Sequence, residues 1–175
     1  MKERILHVSC GGLGHGGVSA VIFSIVETLH DQFGFDCVVF KKHCEKEELF
    51  QKYGNLFRIE AYNDDGKRHL GELLLRPWRM YWGIYKICKT NKYKAIHCHN
   101  DLEEGLCLLA AKRAGVPIRI AHSHVTPPPT RKSLVTKIRA FINRKLMIYA
   151  ATDLIGCSEA ACSGFYGQVD FKVIY

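Results

Sequence analysis

Residues 94–121 read KAIHCHNDLEEGLCLLAAKRAGVPIRIA, and this stretch decides the fold. Lys94 to Cys98 has the length and apolar content of a buried strand. Asn100 or Asp101 then supplies an N-cap, Glu103 and Glu104 fall in the first helical turn, and Lys112 and Arg113 fall in the last. Acid at the positive end of the helix dipole and base at its negative end both stabilise a helix, and the cap satisfies an amide that the first turn leaves open. Gly115 and Pro117 stop that helix, and Pro117 to Ala121 (PIRIA) forms the next strand. Strand, helix and strand in so short a span predict a right-handed crossover between parallel strands.

The alternation continues outward in both directions. Ile5 to Ser9 is a strand, followed by a glycine-rich run from Gly11 to Gly17. Val18, Val21, Ile22, Ile25, Val26 and Leu29 then recur at helical spacing, with Gly34 as the expected stop. Asp36 to Phe40, Asn55 to Glu60, Asp153 to Gly156 and Phe171 to Ile174 read as further strands. The expected class is α/β: a Rossmann-like three-layer sandwich with a mostly parallel sheet of about seven strands, covered on both faces. The one proline-rich segment, Thr126 to Thr130, follows a strand end, where ligands of open α/β sheets sit.

At 175 residues the chain suits one domain, and its 47% apolar and 24% charged residues are ordinary for a globular protein. No stretch approaches the roughly 20 apolar residues of a membrane span. The opening residues, Met1 to Val8, are interrupted too early for a signal peptide and read as the first strand of a cytosolic protein. Eight cysteines include no C-x-x-C pair, and Cys10, Cys37, Cys98 and Cys157 fall in or just after strands. That placement suits buried thiols in a reducing compartment better than a disulfide framework. The net charge of +8 points to an anionic partner: a membrane surface, a phosphorylated substrate or nucleic acid. Nucleic acid is set aside, because the basic residues alternate with apolar ones and no recognised module is present.

Four features could carry chemistry. In the glycine run, backbone amides and a helix N-terminus can approach an anion closely. Gly12-x-Gly14-x-x-Gly17 has the letters of a dinucleotide fingerprint, but Asp36 begins the second strand where an acidic residue should close it, which weakens an NAD-binding reading. No Lys-Ser or Lys-Thr follows the glycines, so a P-loop is excluded. Second, His97 and His99 flank Cys98 at one strand end, and His122 and His124 flank Ser123 at the next. Residues two apart on a strand share a face, so these pairs can converge on a substrate; a zinc site is the alternative. Third, Ser158 is placed to cap a helix beginning at Glu159. Fourth, Trp78, Trp82 and Tyr85 share a side of one helical segment that opens with Pro77 in its first turn. Lys132, Lys137, Arg139, Arg144 and Lys145 line another, opposite Leu134, Ile138, Phe141 and Ile142. Basic and aromatic residues together suit an anionic membrane interface, whereas apolar residues at helical spacing more commonly face a core.

Taken together, GGLGHGGVSAVIFSIVETL (11–29), YKAIHCHNDLEEGLCLLAAKRAGVPIRIAHSHV (93–125), ATDLIGCSEAACSGFYG (151–167) and the closing FKVIY resemble the N-terminal domain of family 4 glycosyltransferases of the GT-B type. The middle, from His43 to Lys92, matches only in kind. The resemblance implies retaining transfer of a sugar, hexosyltransferase-like, from a nucleotide-sugar donor, expected to be UDP-linked, to an acceptor hydroxyl in a cleft between two domains. Residues 1–175 would form the acceptor-side domain. The donor-binding C-terminal domain is absent from this chain, so the fragment alone is expected to be inactive. No cofactor and no metal are implied. By matching position His124 is the catalytic candidate facing the reacting sugar, and Gly16 and Gly17 lie against the donor diphosphate or the acceptor. Arg119 and Ser158 occupy recurring positions, and His99, Asn100, His122 and Glu159 complete the expected substrate-binding set. HSHV followed by a basic helix is similar to members that build capsular or exopolysaccharide on a lipid carrier. That implies a glycan or lipid-linked acceptor and work at the inner face of the plasma membrane.

Overall fold

Successive residues of a strand point to opposite faces, so a strand buried on both faces must be apolar on both. In the computed structural model, which describes residues 2–9, 11–60, 70–99, 104–125 and 134–174, β1 (Arg4–Ser9) sends Leu6 and Val8 to one layer. Its alternate residues Ile5 and His7 point to the other, where Phe35, Cys37 and Val39 of β2 (Gly34–Val39) lie beside them. The remaining strands are β3 (Leu56–Arg58), β4 (Ala95–Cys98), β5 (Ile118–Ser123), β6 (Asp153–Gly156) and β7 (Lys172–Val173). They form one seven-stranded, wholly parallel sheet in the order β3-β2-β1-β4-β5-β6-β7. The expected Rossmann-like class is therefore observed.

The helices are α1 (Gly17–Leu29), α2 (Glu47–Gln51), α3 (Leu70–Asn91), α4 (Glu104–Ala114), α5 (Leu134–Ala150) and α6 (Glu159–Tyr166). Ile22, Phe23 and Val26 of α1 and Phe50 of α2 bury one face of the sheet. Met80 and Ile84 of α3, Leu108 of α4, Met147 of α5 and Tyr166 of α6 bury the other. Helices that connect parallel strands run back against them, so every helix starts at the carboxyl rim of the sheet. The chain's order reverses between β1 and β4, which opens a crevice there at the same rim.

Three local expectations are corrected. Gly34 is not the stop of α1. That helix ends at Leu29, with His30 N–H donating to the Val26 carbonyl at 2.9 Å, and Gly34 begins β2. A Cβ built on Gly34 would meet Arg4 Cγ at 3.4 Å, an ordinary contact, so nothing in the strand packing demands a glycine there. Pro77 lies inside α3 and not in its first turn, because the helix begins at Leu70. Asp36, weighed as the ribose-binding acid of an NAD site, is buried near the amino end of β2. It accepts from the Arg4 guanidinium, the Tyr93 hydroxyl, and both the backbone amide and Nδ2 of Asn55. Its carboxylate is fully committed at the rim opposite the glycine loop, and the NAD reading loses its acid. The candidate caps Asn100 and Asp101, together with Cys10, Glu103, the 126–130 loop and Lys132, fall outside the described residues.

Candidate functional site

The carboxyl rim gathers what the sequence scattered. Ser9, the last residue of β1, sends its hydroxyl to the Gly12 carbonyl at 2.9 Å, and Gly12 takes a φ of +72°, which only glycine adopts without strain. The chain then turns into α1, where Gly16 occupies the N-cap position with no side chain to cap, and the Ser19 hydroxyl accepts the Gly14 amide at 3.0 Å. A Cβ built on Gly16 or Gly17 would meet nothing within 4 Å. Packing therefore does not demand these two glycines, which lie exposed at the start of α1. At the far side of the rim the Ser158 hydroxyl accepts the Ala161 amide at 3.1 Å, the expected cap of α6, and Glu159 opens that helix.

Between them stand five histidines. Strand register puts His7 beside His97, and one residue further on places His99 beside His122. With the period of two, His7, His97, His99, His122 and His124 all project from the α1 face of the sheet. His7 Nδ1 lies 3.1 Å from His99 Nε2, and His99 Nδ1 lies 2.8 Å from His124 Nε2. His97 Nε2 lies 3.1 Å from His122 Nδ1, and the two rings stack at 7°. His122 and His124 also stack, with centroids 4.0 Å apart. His7, His97, His99 and His122 are buried, and His124 at the outer end is half-buried.

Burial makes these rings weak bases, since a buried imidazole loses the hydration that its charged form needs. Burial first, and then His122, brings His7 down to about 3. Burial and the neighbouring His124 bring His122 down to about 4. His97 and His99 are held well below the usual value by burial first and then by the other rings, and His124 is lowered by burial alone. At neutral pH the array is uncharged, and each ring has one N–H to give and one lone pair to accept. Two sets of ring nitrogens, His7–His97–His99 and His99–His122–His124, lie within 4.8 Å of one another, a spacing that could hold a metal ion. Their shortest separations are those of ring-to-ring hydrogen bonds, which the zinc alternative would have to break.

The sequence profile of Glycosyltransferase Family 4 matches residues 15–163, a span that runs from the start of α1 through Ser158 into α6. The chain belongs to glycosyltransferase family 4. EpsF of Bacillus subtilis (strain 168), named as a glycosyltransferase, is 26% identical over 98% of this chain, which spans 43% of EpsF. Among solved structures, Anabaena Alr3699/HepE in complex with UDP and glucose superposes with a TM-score of 0.68 at 18% identity, over 99% of this chain and 44% of HepE. Acinetobacter baumannii MurG gives 0.64 at 15%, over 98% of this chain and 45% of MurG. These structural likenesses concern the fold, which is that of a GT-B half, and this chain spans less than half the length of each relative.

Within this family-4 domain the expected residues divide. Gly16, Gly17, His99, His122, His124, Ser158 and Glu159 come to one rim; Asn100 falls outside the described residues. Arg119 does not join them. It is the second residue of β5, near the amino edge, and its guanidinium donates to the carbonyls of Ala150 (2.6 Å), Val116 (2.6 Å) and Pro117 (2.9 Å). The expected substrate contact is replaced by a clamp on the end of α5. His7 is the residue that sequence reading missed. Its signal was a histidine in the middle of an apolar strand, but only the β1–β4 pairing shows what it faces.

On the other side of the sheet the apolar residues of α3 and α5 do not all turn inward. Trp78 is 63% exposed and packs edge-on against Trp82, while Leu134, Ile138, Phe141 and Ile142 of α5 are exposed beside Lys137 and Arg139. A hollow of about 280 Å³ lies between Arg76, Pro77 and Met80 of α3, Leu106 of α4, and Arg139 and Ile142 of α5. Arg144 is not part of this surface, because its Nε donates to the Tyr166 carbonyl at 3.1 Å. Among the described residues no helix is long and apolar enough to cross a membrane.

Proposed function

We propose that this chain is the acceptor-side half of a retaining family-4 glycosyltransferase, which moves a hexose from a UDP-linked donor to a glycan or lipid-linked acceptor during surface polysaccharide assembly. The observation that carries this reading is the shared rim: the start of α1, the histidine array and the capped start of α6 all stand at the carboxyl ends of the strands, beside and beyond the β1–β4 crevice. Helix N-termini with free amides stabilise anionic groups such as a diphosphate, and a half-buried imidazole beside them can hydrogen-bond a sugar hydroxyl. His124, the outermost ring, faces the reacting sugar. The donor pocket belongs to a second domain, so residues 1–175 alone turn over nothing measurable. In the full-length enzyme His124→Ala is expected to lower kcat on the order of 100-fold while leaving the melting temperature nearly unchanged. Near-normal turnover in that variant removes His124 from the chemistry.

The lipid-linked form of the acceptor is supported by the exposed face of α3 and α5. Tryptophans, leucine-type side chains and lysines on one surface suit the headgroup boundary of an anionic bilayer, at the inner face of the plasma membrane. The protein is expected to float with vesicles containing phosphatidylglycerol and not with pure phosphatidylcholine, and Trp78→Ser with Phe141→Ser should abolish the flotation. Equal recovery with both lipids, or flotation unaffected by the double substitution, overturns membrane docking.

A further inference from the structure

His7, His99 and His124 come from the ends of three adjacent strands and lie on one diagonal that runs outward to the rim. His7 is the inner end. It is fully buried, its ring stacks on Phe35 with centroids 5.6 Å apart, and its Nε2 has no hydrogen-bond partner. A neutral imidazole carries one proton, and the orphaned nitrogen settles which one. A proton on Nε2 would leave a buried N–H unpaired, which native structures rarely tolerate, whereas a proton on Nδ1 leaves only a bare lone pair. His7 therefore donates from Nδ1 to His99 Nε2. His99 must then hold its own proton on Nδ1 and donate it to His124 Nε2, since the hydrogen bond at one ring nitrogen sets the role of the other.

We propose that His7 and His99 are positioning residues that hold His124 in a single neutral tautomer, with its proton on Nδ1. The Nε2 lone pair of His124 is then occupied by His99, which leaves this ring no lone pair with which to act as a base. The other titratable groups facing this chain are His97, tilted against His99 at 4.1 Å, and His122, stacked on His124. Those two bond to each other and leave the diagonal's own hydrogen bonds undisturbed. The catalytic consequence rests on the reading of His124 as sugar-facing; the tautomer does not.

Nitrogen-15 NMR of the labelled chain near neutral pH tests the tautomer directly. The expected spectrum shows a pyridine-type Nε2 and a pyrrole-type Nδ1 for His124, with a coupling across the hydrogen bond from His99 Nδ1 to His124 Nε2. His99→Asn keeps a donor close to the same place and should preserve the pattern, while His99→Asp accepts only and should move the His124 proton to Nε2. Finding that proton on Nε2 in the unaltered protein overturns the proposal, and this measurement depends on no variant's folding. In the full-length enzyme His99→Asp should lower kcat about 10-fold or more, with KM little changed and partial recovery in His99→Asn. If His124→Ala keeps normal turnover while the NMR shows the Nδ1 tautomer, the sugar-facing reading fails and the positioning role stands.

Discussion

Acidification to about pH 5 is expected to unfold this domain under conditions that leave most proteins of its size intact. In the unfolded chain every histidine titrates near 6.5, whereas in the fold burial holds His7 at about 3, His122 at about 4, and His97 and His99 well below the usual value. Below 6.5 the unfolded state therefore binds protons that the native state refuses, and stability falls as pH falls. The contribution is whole above that value and is lost progressively down to each ring's folded value. Each fully buried ring costs about 1 kcal/mol per pH unit in that window. His7, His97 and His99 together thus remove several kcal/mol over little more than one unit, against a total stability of roughly 5–15 kcal/mol. Far-UV circular dichroism against pH should show a cooperative transition with its midpoint between about pH 4 and pH 6. His7→Phe, which keeps a ring against Phe35, should move it to lower pH. A native signal persisting to about pH 3 would contradict the burial and neutrality of the array.

Replacing Asp36 by alanine should cost about 2–3 kcal/mol, within the range for hydrogen bonds to a charged group, because the carboxylate is buried while its Arg4 partner stays partly exposed. Asp36 is 1% exposed and accepts four hydrogen bonds, from Arg4, Tyr93 and twice from Asn55. The Arg4 guanidinium also lies 5.2 Å from the Tyr93 ring centre, and burial pushes the Tyr93 phenol up, so the hydroxyl stays a donor. The turn at Asn55 is shaped by its neighbour as well: a Cβ on Gly54 would sit 1.6 Å from the Phe35 carbonyl oxygen. The alanine variant removes all four of these bonds and leaves the buried Tyr93 hydroxyl without its acceptor, and its loss is expected in urea unfolding at neutral pH. A loss under about 1 kcal/mol would mean that the network is solvated and contributes like a surface pair.

Sequence and structure agree most closely where a few neighbouring residues hold all the physics. Ser158 caps α6 as its spacing requires, and β6 runs over Asp153–Gly156 as its apolar run predicts. The shared face of His97 with His99 and of His122 with His124 follows from the period of two alone. Disagreement begins where a side chain's partner lies far along the chain. Arg119 enters the expected site by its matching position in the family, but its carbonyl partner on Ala150 is visible only once α5 has folded back. Gly34 reads as a helix stop because a glycine after an apolar period usually is one, and its place at the start of β2 is fixed by pairing with Arg4 on another strand. The apolar face of α5 reads equally well as core, and only the folded chain leaves Ile138, Phe141 and Ile142 exposed.

The order of residues by itself determined the alternation of strands and helices, the parallel sheet that this alternation forces, the charges at the two ends of α4 and the cap of α6. These depend on contacts within a turn or two. Tertiary structure alone decided that β4 crosses to the far side of β1, and so that His7 and His99, 92 positions apart in sequence, share a hydrogen bond at the inner end of the rim. Strand order and register are settled by which faces bury each other best, and that is a property of the whole sheet, which no local pattern encodes.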